Sequence, residues 1–153
     1  MPNTIDELLA EARRHLDRVS PQTAAAAMDD GALLVDIRPL EQRRRQGEVP
    51  GALAVGRNVL EWRLDAAGPH RIPEANRIGS AIIVLCAQGY ASSLAARSLQ
   101  TLGWDAATDM IGGFDAWAAV GLPVRPCAGP TPDEAGAAGR GDSAGEEALD
   151  QSG

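Results

Sequence analysis

Apolar residues recur at helical spacing in some segments of the chain and form short uninterrupted runs in others. The first segment has helical spacing and begins at the capping-box pair Thr4 and Glu7, which predicts an amphipathic helix over residues 5–18. Ser20-Pro21 begins a second predicted helix that continues to Met28. Further helices are predicted over residues 39–46, 92–102 and 114–120, with isolated helical turns at 60–64 and 74–78.

Four short apolar runs are typical of buried strands. They cover residues 32–37, 53–55, 81–85 and 106–110, and helical segments separate them. The run at 81–85 is apolar on both faces, as central strands of parallel sheets are. This alternation predicts an α/β fold in which helices cover both faces of a parallel sheet.

Composition divides the chain into three parts. Residues 1–19 are the predicted N-terminal helix, residues 20–126 form one α/β domain, and residues 127–153 are rich in Gly, Ala and acidic residues without periodicity. We expect the last part to be disordered. Because it holds six acidic residues beyond Cys127 and only Arg140 against them, it carries most of the net charge of −7.

Charge and composition also exclude several functions. The body of the chain is nearly neutral, so we expect no nucleic-acid partner. All 14 basic residues are Arg, which excludes lysine Schiff-base chemistry. No segment resembles a signal peptide or a membrane span, and two cysteines do not make a disulfide framework. We therefore expect a cytoplasmic protein with no membrane partner.

Cys86 is the candidate nucleophile. It ends the strongest predicted strand, and a short Gly-containing turn and a helix beginning at Ser92 follow it. Backbone N–H groups of the turn and of the helix N-terminus would favour an anion there, so Cys86 should react as the thiolate. The loop residues are Ala87, Gln88, Gly89, Tyr90, Ala91 and Ser92. The alternative is an inert, buried cysteine.

Five pieces of the chain, in order and spacing, resemble the rhodanese family. They are Asp36-Ile37-Arg38 with Glu41, Gly47-Glu48-Val49-Pro50-Gly51-Ala52, the loop Cys86 to Ser92, Gly112-Gly113-Phe114-Asp115-Ala116-Trp117, and Gly121-Leu122-Pro123-Val124. The resemblance implies a doubly wound, mostly parallel five-stranded sheet. Glu48 stands where the family usually has His, a change we expect to affect only the turn.

The resemblance also implies a reaction for this chain. It implies that Cys86 takes the outer sulfur of a small donor such as thiosulfate, becomes a persulfide, and passes the sulfur to a thiol or to cyanide. A protein is an alternative acceptor. The family needs no metal and no organic cofactor for this reaction.

Several charged residues lie near the predicted site. The loop has no Arg or Lys, which many thiosulfate-using members have, so Arg57 and Arg63 are candidates for anion binding. Asp36 and Arg38 are interpreted as a structural ion pair at a strand end, with Glu41 nearby. The consecutive Arg43, Arg44 and Arg45 are expected to be solvated, and Cys127 is expected to be a mobile spare thiol.

Two other functions remain open. Cysteine-dependent phosphatases and arsenate-reductase-like enzymes use a similar loop, but a phosphatase places Arg six residues after the Cys, where this chain has Ser92. A non-catalytic binding module of the same fold is the second alternative. Such a module would not require Cys86.

Overall fold

A parallel sheet of four strands divides the protein into two helical layers. The computed structural model describes residues 3–136. The helices are α1 (Ile5–Arg13), α2 (Pro21–Asp29), α3 (Leu40–Gln46), α4 (Leu60–Leu64), α5 (Ala91–Leu102) and α6 (Gly113–Ala119), and short 3₁₀ helices cover Arg57–Val59 and Pro73–Arg77. The strands are β1 (Leu33–Asp36), β2 (Leu53–Ala54), β3 (Ile82–Leu85) and β4 (Ala107–Asp109).

The strand order is β2-β1-β3-β4, and every neighbouring pair is parallel. Because side chains alternate between the faces of a strand, Val84 enters a core with α4 and α5, whereas Ile83 and Leu85 enter a second core with α2 and α6. The predicted α/β fold with helices on both faces is therefore confirmed.

Within the described residues the sheet has four strands, one fewer than the five predicted. In the position of a fifth strand, Val19 forms a single parallel bridge with Met110. Its N–H donates to Asp109 at 3.1 Å, and its carbonyl accepts from Ile111 at 2.8 Å. Ser20 caps α2 directly afterwards, so the chain leaves the sheet after one paired residue.

Helix α1 is shorter than predicted, because it ends at Arg13 and not at residue 18. The chain turns there, with the N–H of His15 donating to Ala12 and that of Leu16 to Arg13. This turn lets Leu16 join the core and brings Val19 to the edge of β4. The helix packs on α5 through Leu9 and Ala12, which are buried.

The predicted boundary of the disordered tail also differs from the structure. Residues 132–136 form a helical turn, and acidic side chains of this segment pair with arginines of the body. The remainder of the predicted tail, residues 137–153, lies outside the described residues. No helix within residues 3–136 is both long and apolar enough to cross a membrane.

Candidate active site

Cys86 lies immediately after β3, at the carboxyl edge of the sheet, where open α/β folds bind ligands. We call residues 86–91 the sulfur loop. The N–H of Gly89 donates to Cys86 Sγ at 3.2 Å and that of Ser92 at 3.4 Å. Cys86 is 7% exposed and lines an open cavity, so the residue is nearly enclosed yet reachable. Two N–H donors at this position favour an anionic sulfur.

Carbonyl oxygens of the sulfur loop are held away from Sγ. The N-terminus of α6 binds two of them, because Phe114 N–H donates to Cys86 O at 2.8 Å and Asp115 N–H donates to Ala87 O at 3.0 Å. The C=O and N–H of a trans peptide point in opposite directions. Holding the oxygens outward therefore turns the following N–H groups toward the interior of the loop, where they favour negative charge on sulfur.

Two glycines make this geometry accessible. Gly89 has φ +85°, in the left-handed region, and a Cβ there would lie 2.7 Å from the backbone nitrogen of Gly112. Gly113 has φ +61°, and its Cβ would lie 2.4 Å from Cys86 O. Only glycine permits both the backbone conformation and the close approach of α6 to the sulfur loop.

A cavity of about 350 Å³ opens over Cys86. Its walls come from the sulfur loop, the end of β1, the start of α3 and the first 3₁₀ helix: Ile37, Arg38, Pro39, Gln42, Arg57, Cys86, Ala87, Gln88, Tyr90 and Ala91. A small molecule could therefore reach the sulfur past mostly apolar walls that include two arginines.

The two candidate anion-binding arginines lie in different places. Arg57 lines the Cys86 cavity and is 39% exposed, and it pairs with Glu61 at 2.8 Å. Arg63 does not line that cavity, and its guanidinium pairs with Asp133 and donates to His70 O at 2.8 Å. Of these two candidates, the structure therefore places Arg57 and not Arg63 at the Cys86 cavity.

Glu61 is the charged partner of Arg57. Burial raises the pKa of Glu61, but hydrogen bonds from Ser98 and Arg57 and the positive charge of Arg57 outweigh it, so the pKa lies below its ordinary value. The Ser98 hydroxyl donates to this carboxylate at 2.7 Å. Glu61 is thus a stable anion that orients Arg57 at the rim of the cavity.

Asp36 and Arg38 form a buried ion pair, with Nη2 of Arg38 at 2.7 Å from Asp36 Oδ2. The same guanidinium donates to Gly47 O at 2.9 Å and lies 4.0 Å from the centroid of the Phe114 ring. Arg38 therefore also contacts α6, which holds the sulfur loop. Glu41 is exposed and lies outside this pair.

Three residues that support the sulfur loop were missed in the sequence. Asp109, at the end of β4, is fully buried and pairs with Arg18 at 2.9 Å. The Ser92 and Ser93 hydroxyls donate to Asp109 Oδ2 at 2.7 and 2.8 Å. Both Arg18 and Arg13 donate to Gly89 O. These contacts join distant parts of the chain, and no local sequence signal marks them.

The expectation that Arg43 is solvated is wrong. Its side chain is 1% exposed and pairs with Glu48 at 2.9 Å and Glu134 at 2.8 Å. Burial lowers the pKa of Arg43, but its hydrogen bonds to Glu134 and Glu48 outweigh that effect and raise the pKa above its ordinary value. Glu48 therefore does more than alter a turn. Cys127 Sγ lies 3.4 Å from Glu48 Oε1, in the same cluster.

Comparison with known proteins shows the family of this chain. The family model of the rhodanese-like domain matches residues 20–120. The chain belongs to this family. Among curated rhodanese-like relatives, the thiosulfate sulfurtransferase GlpE of Haemophilus influenzae (strain PittEE) is 33% identical over 107 residues, which cover 69% of this chain and 91% of GlpE. The adenylyltransferase and sulfurtransferase UBA4 of Candida albicans is 31% identical, over 65% of this chain but 23% of UBA4.

Solved structures share the rhodanese-like fold. One from Rhodopseudomonas palustris, described as a protein of unknown function and possible tyrosine phosphatase, is 30% identical with a TM-score of 0.73, covering 82% of this chain and 99% of that one. A thiosulfate sulfurtransferase from Pseudomonas aeruginosa is 24% identical with a TM-score of 0.57, covering 72% of this chain and 19% of that one. At that identity the second supports the fold alone.

Proposed function

We propose that this rhodanese-like protein is a sulfurtransferase that carries a sulfane sulfur as a persulfide on Cys86. The observation that carries the proposal is the position of Cys86 Sγ, which accepts N–H bonds from Gly89 and Ser92 at the base of an open cavity. An anionic sulfur in this position is both stabilised and reachable. The similarity to GlpE, a thiosulfate sulfurtransferase, supports the same class of reaction.

The proposed reaction has two displacement steps. The Cys86 thiolate attacks the outer sulfur of a donor such as thiosulfate, the bond between that sulfur and the sulfite group breaks, and sulfite leaves with the electron pair. An acceptor thiolate or cyanide then attacks the outer sulfur of the persulfide, and Cys86 returns to the thiolate. No separate oxidant or reductant is required, because each bond that forms replaces one that breaks. The site supports this sequence by stabilising an anion on sulfur before and after transfer.

The donor and acceptor are also part of the proposal. Arg57 lies at the cavity and could bind an anionic group such as the sulfonate of thiosulfate. The acceptor is a small thiol or a thiol on another protein. A reducing compartment such as the cytoplasm suits this chemistry, because free thiols there would return Cys86 to its reactive form.

Intact mass after exposure to thiosulfate tests the proposal. The protein should gain one sulfur atom, and cyanide or dithiothreitol should remove it. Cys86→Ser should lose both the added mass and turnover, while the matched variant Cys127→Ser should keep them. Label on Cys127, or turnover by Cys86→Ser, would show that the mechanism is wrong.

The same preparations separate the two alternatives. A non-catalytic module should neither load sulfur nor transfer it. A phosphatase should hydrolyse p-nitrophenyl phosphate in a Cys86-dependent way, but the sulfur loop and Ser92 provide no guanidinium to clamp a phosphoryl group. The description of the Rhodopseudomonas palustris structure as a possible tyrosine phosphatase favours the phosphatase alternative.

A further inference from the structure

One backbone oxygen of the sulfur loop is held by two arginines from the N-terminal segment. Gly89 O accepts from Arg13 Nη2 and from Arg18 Nη2, each at 2.9 Å. Arg13 is the last residue of α1, and both arginines precede residue 20, where the family match begins. The sulfur loop is therefore anchored by a part of the chain outside the matched domain.

Arg13 contacts three successive parts of the sulfur loop and α5. Besides Gly89 O, its Nε donates to Ser93 Oγ at 3.0 Å, and its guanidinium carbon lies 5.7 Å from the centroid of the Tyr90 ring. The contacts of Arg13 therefore lie on the same stretch of chain as Gly89 and Ser92. The N–H groups of these two residues donate to Cys86 Sγ. A shift of Arg13 would thus move the donors that stabilise the sulfur anion.

The charges behind the loop leave a net positive charge. Arg13 and Arg18 contribute two cations, and buried Asp109 contributes one anion that pairs with Arg18 and accepts from Ser92 and Ser93. In addition, holding Gly89 O outward turns the Tyr90 N–H toward the interior of the loop, since the two groups of a trans peptide point in opposite directions. Both effects favour a negative sulfur at Cys86.

From these contacts we propose that Arg13, on the N-terminal helix, is a positioning residue for Cys86. It fixes Gly89 and the first turn of α5 so that their N–H groups face the sulfur, and it adds positive charge behind the loop. The proposal adds a positioning residue to the proposed sulfurtransferase site, and its expectations about turnover rest on that proposed function. Its effect on Cys86 reactivity, however, is measurable without any sulfur donor.

Alkylation of Cys86 by iodoacetamide at pH 7 provides the test, with Cys127→Ser as the background. Arg13→Gln should slow alkylation of Cys86 by about tenfold, because loop donors moved out of alignment stabilise the thiolate less well. Arg14→Gln is the matched control, since Arg14 lies next to Arg13 but is exposed and pairs with Glu11. It should react at the parent rate. Arg13→Lys should restore part of the rate, because an ammonium keeps the charge and can reach one acceptor.

Turnover with thiosulfate should follow the same order, with a fall in kcat and little change in KM, because Arg13 lies behind the loop and outside the cavity. A folded Arg13→Gln protein that alkylates at the parent rate would overturn the proposal. So would an Arg13→Lys protein that is folded and as slow as Arg13→Gln. If alkylation changes as expected but neither the parent protein nor any variant transfers sulfur, the positioning role stands and the proposed function fails.

Discussion

The guanidinium of buried Arg43 binds both carboxylate oxygens of Glu134 at 2.8 Å, across 91 positions of sequence. Arg43 is also bound to Glu48, so one cation joins α3, the turn after it and the segment that follows Cys127. Both contacts come from Nη2 of Arg43, and charge-assisted hydrogen bonds of a buried arginine are among the stronger polar contacts in a protein. The segment around residue 134 is therefore held to the body by a specific contact.

Replacing Glu134 should destabilise the protein. Glu134→Gln keeps the shape of the side chain but removes its charge, leaving Arg43 with one carboxylate partner. We expect a loss of about 1–2 kcal/mol and a melting temperature lower by roughly 5 °C. Glu41→Gln, on the exposed side of α3, is the control and should melt like the parent. Equal melting of all three proteins would mean that this ion pair contributes nothing to stability.

The effect of Glu134 should depend on pH. Burial raises its pKa, but the hydrogen bonds from the Thr131 N–H and Arg43, with the positive charge of Arg43, outweigh it and hold the pKa below the ordinary value of 4.5. A lowered pKa in the folded state stabilises the protein above pH 4.5, and this contribution disappears as the pH falls through the folded value. The stability difference between the parent and Glu134→Gln, measured by urea unfolding, should therefore shrink below that pH. A constant difference down to pH 3 would contradict this assignment.

Gly113 can be tested against a glycine with similar backbone geometry. Gly113→Ala places a Cβ against Cys86 O and Ala87 O, whereas Gly121 has φ +81° with no atom within 4 Å of its added Cβ. Both changes should lower the free energy of unfolding by about 1–2 kcal/mol through backbone strain. Gly113→Ala should lower it further, because of the clash, and should also slow alkylation of Cys86. Thermal unfolding and alkylation rates measure the two effects. Similar behaviour of the two variants would show that the close approach to the sulfur loop is unimportant.

Arg57 should affect the binding of anionic donors. Arg57→Ala should raise the KM for thiosulfate about fivefold, equivalent to ~1 kcal/mol, and change the KM for an uncharged sulfur donor little. The effect is modest because Arg57 is partly exposed and already pairs with Glu61. Arg63→Ala is the control, since Arg63 lies outside the Cys86 cavity. Equal changes for both donors, or an equal effect of Arg63→Ala, would remove Arg57 from the binding site.

Local patterns were sufficient to predict most of the secondary structure. The apolar run before Cys86 and the helix after it predicted where the sulfur would lie, because a strand end and a helix start are encoded by adjacent residues. The Gly-containing turn between them was also predicted, and its Gly89 has a positive φ. The weaker elements were also found near their predicted places, including the isolated helical turn at Leu60–Leu64.

Long-range polar contacts were not predictable in the same way. Arg13, Arg18 and Asp109 form one network only after α1, the sheet and the sulfur loop have come together. Arg43 is in a run of three arginines that looks solvated, and its burial depends on Glu134 far along the chain. The hydroxyls of Ser92 and Ser93, at the start of a predicted helix, both donate to Asp109. In each case the deciding partner is distant in sequence.

The attachment of Gly89 O to Arg13 and Arg18 has a consequence for domain recombination. A fusion that transplants only residues 20–120 into another protein would carry the nucleophile but leave behind both cations that hold its loop. A fusion that keeps both cations therefore has to begin before Arg13, and a start at the capping residue Thr4 keeps the whole of α1. A fusion that begins at residue 20 would need a segment of the host protein that supplies two guanidinium groups to Gly89 O.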